Sequence, residues 1–562
     1  MIQPRNIIFW GAGATKALGI RITADQTKFI KLISDDNDAK QLPQRIREAL
    51  DHNDAEPWHS ALFDLITILG DTKEAYGSIH RIDDFQRDAM RRNWHKEALD
   101  AELDRRIIEL RLIYDWPALK SVVRVCPGSS QGTFKINDLF NLLDMHIPPG
   151  FGFRAPISQD SGELEDQVEE RPFQFFDARR LIGAKNALLM LLISLFYIDY
   201  QQCIRTKRPI LQKYYDFANA LGRRMQKQAF DLARPGELDR PRFYKGDVSV
   251  VSINYDPIAL WMHFNAHRDL NKSASVPHIG SPAVPLEIFT DYGPLIPSRR
   301  IEKGESDWPW YAMNEAVVQR LNEQRAGDTR VRLLKLLFPH GCLCWRECPD
   351  CGKLSAYHGD QWILESPSLF PPPPLRAFDD KECPARISEK ERKQRERGKV
   401  DARQCLHCST LTYAHHTQAI MQSSFKPRPP SFIEEIDRDL RATTMQADHI
   451  IFMGYSLPPD DVTYRAFFSA RRRRSEDPGS PPVQCTVVGW SHNNPGWYRP
   501  MELKTIIRDF PQDFPEDLGV RAARDIFGED NVRFYGGGVP NVFCDGDQVT
   551  EAALERLLNW SE

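Results

Sequence analysis

The chain has 562 residues, 41% of them hydrophobic, and sets 74 Lys plus Arg against 78 Asp plus Glu for a formal charge of -4. This composition is that of a globular chain rather than a disordered one, and its balanced charge disfavours a polybasic nucleic-acid binder. At roughly 150 residues per domain, the length calls for two or three structural units.

The first predicted element is a strand, Asn6 to Trp10, reading N-I-I-F-W. It ends in Gly11-Ala12-Gly13-Ala14-Thr15 and runs on into K-A-L-G-I, a sequence of strand, glycine turn and helix start. Glycines let a backbone approach a ligand closely, and amides at a helix start favour a phosphate, so the turn suits a dinucleotide. Its G-x-G spacing has no third glycine at the usual position, and a plain tight turn fits these residues as well. No basic leader, apolar stretch and cleavage site precede the strand, which makes the cytoplasm the expected location.

Residues 40 to 235 carry little strand signal and are predicted to be mainly helical. Trp94 to Trp116 has Leu99, Leu103, Ile107, Ile108 and Leu112 at helical steps, and Gly128 to Gly132 and Ile147 to Pro156 are predicted breaks. The longest apolar run, Ala187 to Ile198, has 12 residues. A bilayer crossing needs about 20, so this is a helix buried against others, and no membrane association is expected.

Strand-like runs return at Val248 to Ile253, leading into Asn254-Tyr255-Asp256, and at Val331 to Phe338, leading into Pro339-His340-Gly341. Asp448 to Met453 leads into Gly454-Tyr455-Ser456-Leu457, and Gln484 to Val488 into Gly489-Trp490-Ser491. With the first strand, these give five apolar strands with polar or glycine-rich tips, the pattern of an open α/β sheet whose ligand collects at the strands' carboxyl ends. Between Phe338 and Asp448, Pro371 to Pro374 reads as an extended spacer and Lys390 to Arg403 as a charged surface excursion. Arg471 to Arg474 reads as the solvated end of a helix.

Seven of the 11 cysteines fall between Cys342 and Cys408. An odd count in a long chain does not describe a disulfide framework, and local clustering points to a metal. Cys348-Pro-Asp-Cys351 and Cys405-Leu-His-Cys408 are two C-x-x-C pairs separated by 53 residues. Each pair presents two thiolates from one knuckle, and two knuckles complete a tetrahedron around zinc. Four thiolates leave no open position, so such a zinc is structural. Cys383 and His407 are the nearby alternative ligands, while Cys342 and Cys344 read as core or strand cysteines.

Taken in order, the Gly11 to Thr15 turn, Ser252-Ile253-Asn254-Tyr255-Asp256, Pro339-His340-Gly341, the two cysteine pairs, Gly454-Tyr455-Ser456-Leu457 and the Gly489 tip resemble the sirtuin family. The closer likeness is to the bacterial SIR2-like proteins that consume NAD in defence against phages. It covers the first 30 residues and roughly residues 245 to 495. The resemblance implies a Rossmann-like parallel sheet with a large helical insertion and a small zinc-ribbon module. The core would comprise residues 1–40, 241–341 and 416–562, the last with a C-terminal extension. The insertion would be 41–240 and the zinc module 342–415.

The resemblance further implies that Gly11, Ala12, Gly13 and Thr15 cradle the NAD pyrophosphate. Asn254 would place the nicotinamide ribose and a water, Asp256 would contact the carboxamide, and His340 would act as general base on a ribose hydroxyl. Gly454, Ser456, Gly489 and Trp490 would border the adenosine half. A neutral imidazole suits such a relay near pH 7.

The departures from the deacylase branch are specific. Gly19-Ile20-Arg21-Ile22-Thr23 stands where deacylases have Gly-Ile-Pro-Asp-Phe-Arg, the Phe-Gly-Glu segment that holds the acyl-lysine peptide is replaced by Phe425-Lys-Pro-Arg-Pro-Pro430, and Gly454-Tyr455-Ser456 replaces Gly-Thr-Ser. These differences and the insertion point to NAD+ hydrolysis by water. The alternatives are an NAD-dependent deacylase or ADP-ribosyltransferase, and a non-enzymatic nucleotide-sensing subunit. Because uncontrolled NAD loss kills the host, the enzyme reading also implies an off state governed by homo-oligomerisation, a nucleotide signal or a defence-system partner.

Overall fold

The computed structural model describes residues 5–21, 25–28, 30–31, 89–91, 93–129, 133–156, 173–231, 244–274, 286–293, 330–356, 405, 408, 410, 412, 416–419, 429–459, 461–476 and 482–560. The Pro371 spacer, the Lys390 excursion and Cys383 lie outside these residues.

The first strand, β1 (Asn6–Trp10), is buried along its whole length. An uninterrupted apolar run of this kind belongs at the centre of a sheet covered on both faces. The chain continues through α1 (Lys96–Ile113), α2 (Trp116–Val125), α3 (Ile136–His146), the two-stranded ribbon β2 (Phe153–Pro156) and β3 (Phe173–Phe176), α4 (Ala178–Thr206) and α5 (Arg208–Asp231). It re-enters the sheet with β4 (Tyr244–Ser252), followed by α6 (Ile258–Ala274), β5 (Leu286–Asp291) and β6 (Arg330–Leu337).

A separate three-stranded sheet follows from β7 (Gly341–Glu347), β8 (Leu354–Ala356) and β9 (Thr417–Ala419), in the order β8-β7-β9. Then come α7 (Ser431–Gln446), β10 (His449–Met453), α8 (Val462–Arg474), β11 (Gln484–Val488), β12 (Trp497–Tyr498), α9 (Pro500–Asp509), α10 (Val520–Phe527) and β13 (Val532–Tyr535). A short ribbon, β14 (Cys544–Asp545) and β15 (Gln548–Val549), leads into the last helix, α11 (Glu551–Leu558).

These elements make an α/β fold around a mixed eight-stranded sheet in the order β12-β13-β11-β10-β1-β4-β6-β5. All pairings are parallel except that of the two-residue edge strand β12 with β13. From β1 the sheet grows in both directions, Trp10 pairing in register with Met453 on one side and Ser252 on the other. The carboxyl ends of β1, β4, β6, β10 and β11 therefore lie along one sheet edge.

Alternation along β1 assigns each face of the sheet its helices. Phe9 packs on Phe452, Tyr455, Tyr464 and Phe468, joining the sheet to α8. Trp10 faces the other way, onto Tyr214 and Phe217 of α5, and Phe217 stacks on Phe543 at a centroid distance of 4.4 Å. The helical insertion thus supplies one of the sheet's two covers.

Several expectations need correction. Residues 40 to 235 contain the β2–β3 ribbon, whose first strand falls inside the predicted break Ile147 to Pro156 and whose second lies beyond it; Phe153 pairs with Phe176 and Pro156 with Phe173. On α1, Leu99, Leu103, Ile107 and Leu110 are buried, whereas Ile108 and Leu112 are exposed; the apolar stripe is narrower than the sequence suggests. Strands β5 and β13 were not anticipated, and β9 lies just beyond the expected end of the cysteine-rich module. Arg471 is not solvated: it is buried, and its Nε donates to Ala447 O at 2.7 Å.

Arg533 on β13 closes the far end of the sheet. Its guanidinium donates to the carbonyls of Arg556, Leu557 and Asn559 and to Thr486 Oγ1, at 2.7, 2.9, 3.0 and 2.8 Å. The last turn of a helix leaves its carbonyls without intrahelical donors, and one arginine supplies them for α11.

Candidate functional site

The five predicted tips assemble around the end of β1. The helix start expected after the glycine turn is instead two 3-10 turns, Ala12–Ala14 and Lys16–Leu18, ended by Gly19 at φ 84°. Gly11 N donates to Met453 O and Gly13 N to Gly454 O, both at 2.9 Å, while the Ala14 amide turns back to Gly11 O and the Thr15 amide to Ala12 O.

A Cβ on Gly11 would lie 2.6 Å from Gly454 O, and one on Gly13 would lie 2.9 Å from Gly454 Cα. Gly454 itself has φ +57°, and its Cβ would fall 2.1 Å from the Ala14 nitrogen. The glycines at these three positions are accounted for by two turns pressed backbone to backbone. Among the turn's amides, only that of the exposed Ala12 makes none of these bonds, and the Thr15 hydroxyl donates inward to Ala12 O at 3.3 Å.

The tip after β4 is latched to the same turn. Asn254 Nδ2 donates to Gly11 O at 3.0 Å, and the Asn254 side chain also hydrogen-bonds the Asp256 carboxylate. Asp256 is 2% exposed and takes the Ile258 amide at 3.0 Å, starting α6. Burial pushes its carboxyl up to about 6, against the opposing pull of these hydrogen bonds. The neighbouring Tyr255 carbonyl accepts the Leu343 amide at 2.9 Å, which fixes β7 to this tip.

His340, at the turn between β6 and β7, is 1% exposed. Its ring stacks on Tyr255, and its Nε2 lies 2.9 Å from the Tyr464 hydroxyl. The tip after β10 contributes Tyr455, whose hydroxyl donates to Asp461 at 2.6 Å, and a half-buried Ser456. After β11, Gly489 is held between Tyr535 O and the Gly538 amide, and Trp490 is 67% exposed with its ring against His492. The fold therefore brings Gly11, Gly13, Asn254, Asp256 and Gly454 into direct contact. His340 joins them through Tyr255, and Gly489 and Trp490 border the group from the next strand.

The sequence reading missed several residues here. Tyr214 of α5 donates its hydroxyl to Ala14 O, and Arg21, just past the turn, pairs with the buried Asp199 of α4 at 3.0 Å. Helices of the insertion thus hold the glycine turn directly. Tyr464 reaches His340 across 124 residues, a separation that no spacing rule connects. Among the described residues, Trp10 Nε1 and Ser252 Oγ are buried with no hydrogen-bond partner. They are register partners at the ends of the two central strands. Buried polar atoms of this kind call for a water or a ligand group.

The cysteine pairs form a second centre. The Sγ atoms of Cys348, Cys351, Cys405 and Cys408 all lie within 4.8 Å of one another, with Cys348–Cys408 at 3.4 Å and Cys351–Cys405 at 3.6 Å. A tetrahedron with metal–sulfur bonds of about 2.3 Å has edges of about 3.8 Å, so the set can hold a metal ion. The first knuckle is shaped by the β7–β8 turn, where Cys348 N donates to Lys353 O and Gly352 adopts φ +65°. The Thr410 hydroxyl donates to Asp350 and ties the second pair to the first. Cys342 and Cys344 are buried on β7, apart from this set, with their sulfurs 3.3 Å from each other.

No protein-family model matches the chain, and the search of curated proteins finds no relative. Among the described residues, no helix is long and apolar enough to cross a membrane.

Proposed function

We propose that the chain is a sirtuin-like NAD+ glycohydrolase with a Rossmann-like core, converting NAD+ and water to nicotinamide, ADP-ribose and a proton. Its role would be that of a regulated cytoplasmic effector that depletes NAD+ in bacterial defence against phages. The observation that carries this reading is the convergence of the Gly11 turn, Asn254, Asp256, His340 and Gly454 at the carboxyl ends of parallel strands, on both sides of the strand where the sheet changes its direction of growth. Ligands of open α/β sheets collect at such a point. The orphaned Trp10 Nε1 and Ser252 Oγ support a polar occupant at the same edge.

In this reading Asn254 and Asp256 orient the nicotinamide riboside half. The Asp256 carboxylate, ionised above about pH 6, accepts from the carboxamide. Breaking the nicotinamide–ribose bond leaves positive charge on the ribose; water then adds to that carbon and loses a proton to the neighbouring ribose oxygen, whose own hydroxyl proton His340 has taken and later releases to solvent. The exposed Trp490 offers a stacking face to the adenosine end. Because the amides of Gly11, Gly13, Ala14 and Thr15 bond within the protein, the Ala12 amide is the turn's donor for a pyrophosphate oxygen. The four cysteines would hold a structural zinc in a ribbon module, whose contribution is folding energy rather than an activated water.

The test is release of nicotinamide and ADP-ribose from NAD+ by the purified full chain and by His340→Ala, each with and without proteins encoded beside it. Equimolar products from the wild type under an activating condition, with a loss of roughly 100-fold or more in the variant, are expected for a missing general base. Equal turnover by His340→Ala would sink the assignment of the base. Release that requires an acylated peptide or another acceptor would replace hydrolysis by the deacylase or transferase reading, and binding without turnover would replace it by the sensing one.

A further inference from the structure

His340 is held in a way that the proposed chemistry does not itself require. One ring face lies on Tyr255, with centroids 5.9 Å apart and planes 26° from parallel, and the Tyr464 ring meets it at 5.7 Å and 49°. Both His340 and Tyr464 are buried, and the Tyr464 hydroxyl is 2.9 Å from His340 Nε2. Burial first, then the nearby Asp461 and Asp437, raises the phenol well above its ordinary value of 10, so it keeps its proton; among the described residues His340 Nε2 is the one hydrogen-bond partner of that buried hydroxyl, and donating to it is what satisfies the O–H. A nitrogen that accepts this proton carries the ring's lone pair, and the neutral imidazole then bears its own proton on Nδ1. Free histidine in water prefers the opposite arrangement, with the proton on Nε2.

We propose that Tyr464 is a positioning residue that holds His340 as the Nδ1–H tautomer, which makes Nε2 the atom that accepts the substrate proton. Tyr464 sits in the first turn of α8, and Phe9 and Phe467 pack against its ring, so the hydroxyl is presented from a fixed element. In the reaction, the ribose hydroxyl displaces the phenol from Nε2. The ribose O–H bond breaks, the proton forms a new N–H bond at Nε2, and an imidazolium and a ribose oxyanion result, while Tyr464 retains its own proton throughout. The catalytic half of the proposal rests on the glycohydrolase reading, whereas the tautomer is a property of the chain that is measured without substrate.

The experiment uses full-length protein with 15N-labelled histidine side chains, the His340 signals being identified by their loss in His340→Gln. The wild type is expected to show a protonated Nδ1 and a bare Nε2 at His340, and Tyr464→Phe to move the proton toward Nε2. In NAD+ turnover, Tyr464→Phe is expected to lower kcat about tenfold, a fraction of the general-base contribution, with KM within about twofold. A wild-type His340 protonated on Nε2 overturns the proposal, as does a Tyr464→Phe protein whose tautomer is unchanged. If Tyr464→Phe does not fold, the wild-type spectrum alone decides. A chain that turns over no NAD+ under any condition overturns the glycohydrolase reading, and the ring-nitrogen signals still decide the role of Tyr464.

Discussion

Replacing Gly454 by alanine tests whether the glycines at the candidate site serve loop packing. The new Cβ would sit 2.1 Å from Ala14 N and 2.3 Å from Gly13 C, where ordinary contact begins at 3.4 Å, so the two turns must part by roughly 1.3 Å. Parting removes the Gly13 N–Gly454 O bond of 2.9 Å, worth about 1 kcal/mol. Holding alanine at φ +57° costs about 1–2 kcal/mol more, and the overpacked contact about 1–3 kcal/mol. The expected destabilisation is therefore about 2–5 kcal/mol if the turns stay together and keep the bond, and about 2–3 kcal/mol if they separate, losing the bond but releasing the overpacking. Gly19→Ala is the control: its φ is +84° but nothing lies within 4 Å of the added carbon, so it incurs backbone strain alone. Chemical denaturation with hydrogen exchange at the Gly13 amide reads both effects. A Gly454→Ala protein no less stable than Gly19→Ala, with the Gly13 amide still protected, would refute the packing argument.

Other consequences are open to direct measurement. Cys405→Ser should abolish bound metal and speed hydrogen exchange in β7, β8 and β9 while leaving β1 and β10 protected, because the metal stabilises only the module it joins; metal analysis and exchange mass spectrometry check this. The Asp256 carboxyl is raised from 3.8 to about 6, so between about pH 4 and pH 6 the unfolded chain ionises it before the folded chain does. That contribution to stability falls as pH rises through this window and levels off above it. It amounts to on the order of 3 kcal/mol, and the stability difference between wild type and Asp256→Asn should show it as a slope confined to the window. Arg533→Met should leave the last carbonyls of α11 without donors and cost about 3–5 kcal/mol. Limited proteolysis should then cut near α11 first, and an unchanged digestion pattern would count against the guanidinium's role as a cap.

Much of the sheet is readable in the sequence because its central strands are buried on both faces and so appear as unbroken apolar runs. Asn6 to Trp10, Val248 to Ile253 and Asp448 to Met453 each became a strand within a residue or a few of the expected limits. Strand β13 escaped notice because it is short and carries Arg533 in its middle, and β2 because Gly and Pro surround it. Ile108 and Leu112 misled because a helical pattern reports how many apolar residues a helix carries, while the neighbouring elements decide how wide a stripe is covered. The site's tips were legible as polar breaks after strands; the partners of their side chains were not. Tyr464, Tyr214 and Asp199 come from helices distant in sequence, and only packing brings them to His340, Ala14 and Arg21.

The sequence by itself determined the alternation of apolar strands with polar tips, the clustering of two C-x-x-C pairs and the glycines at 11, 13 and 454, since backbone pairing, thiolate chemistry and steric freedom are local demands that residue types express directly. Tertiary structure decided what those glycines do. Because β1 and β10 are neighbours in register, their turns meet, and the missing side chains make room for backbone. It also decided that the insertion covers one face of the sheet and grips the glycine turn, and that the His340 ring faces a tyrosine hydroxyl. Contacts of that range depend on which strands become neighbours, a matter of the whole chain's packing that no short stretch of sequence specifies.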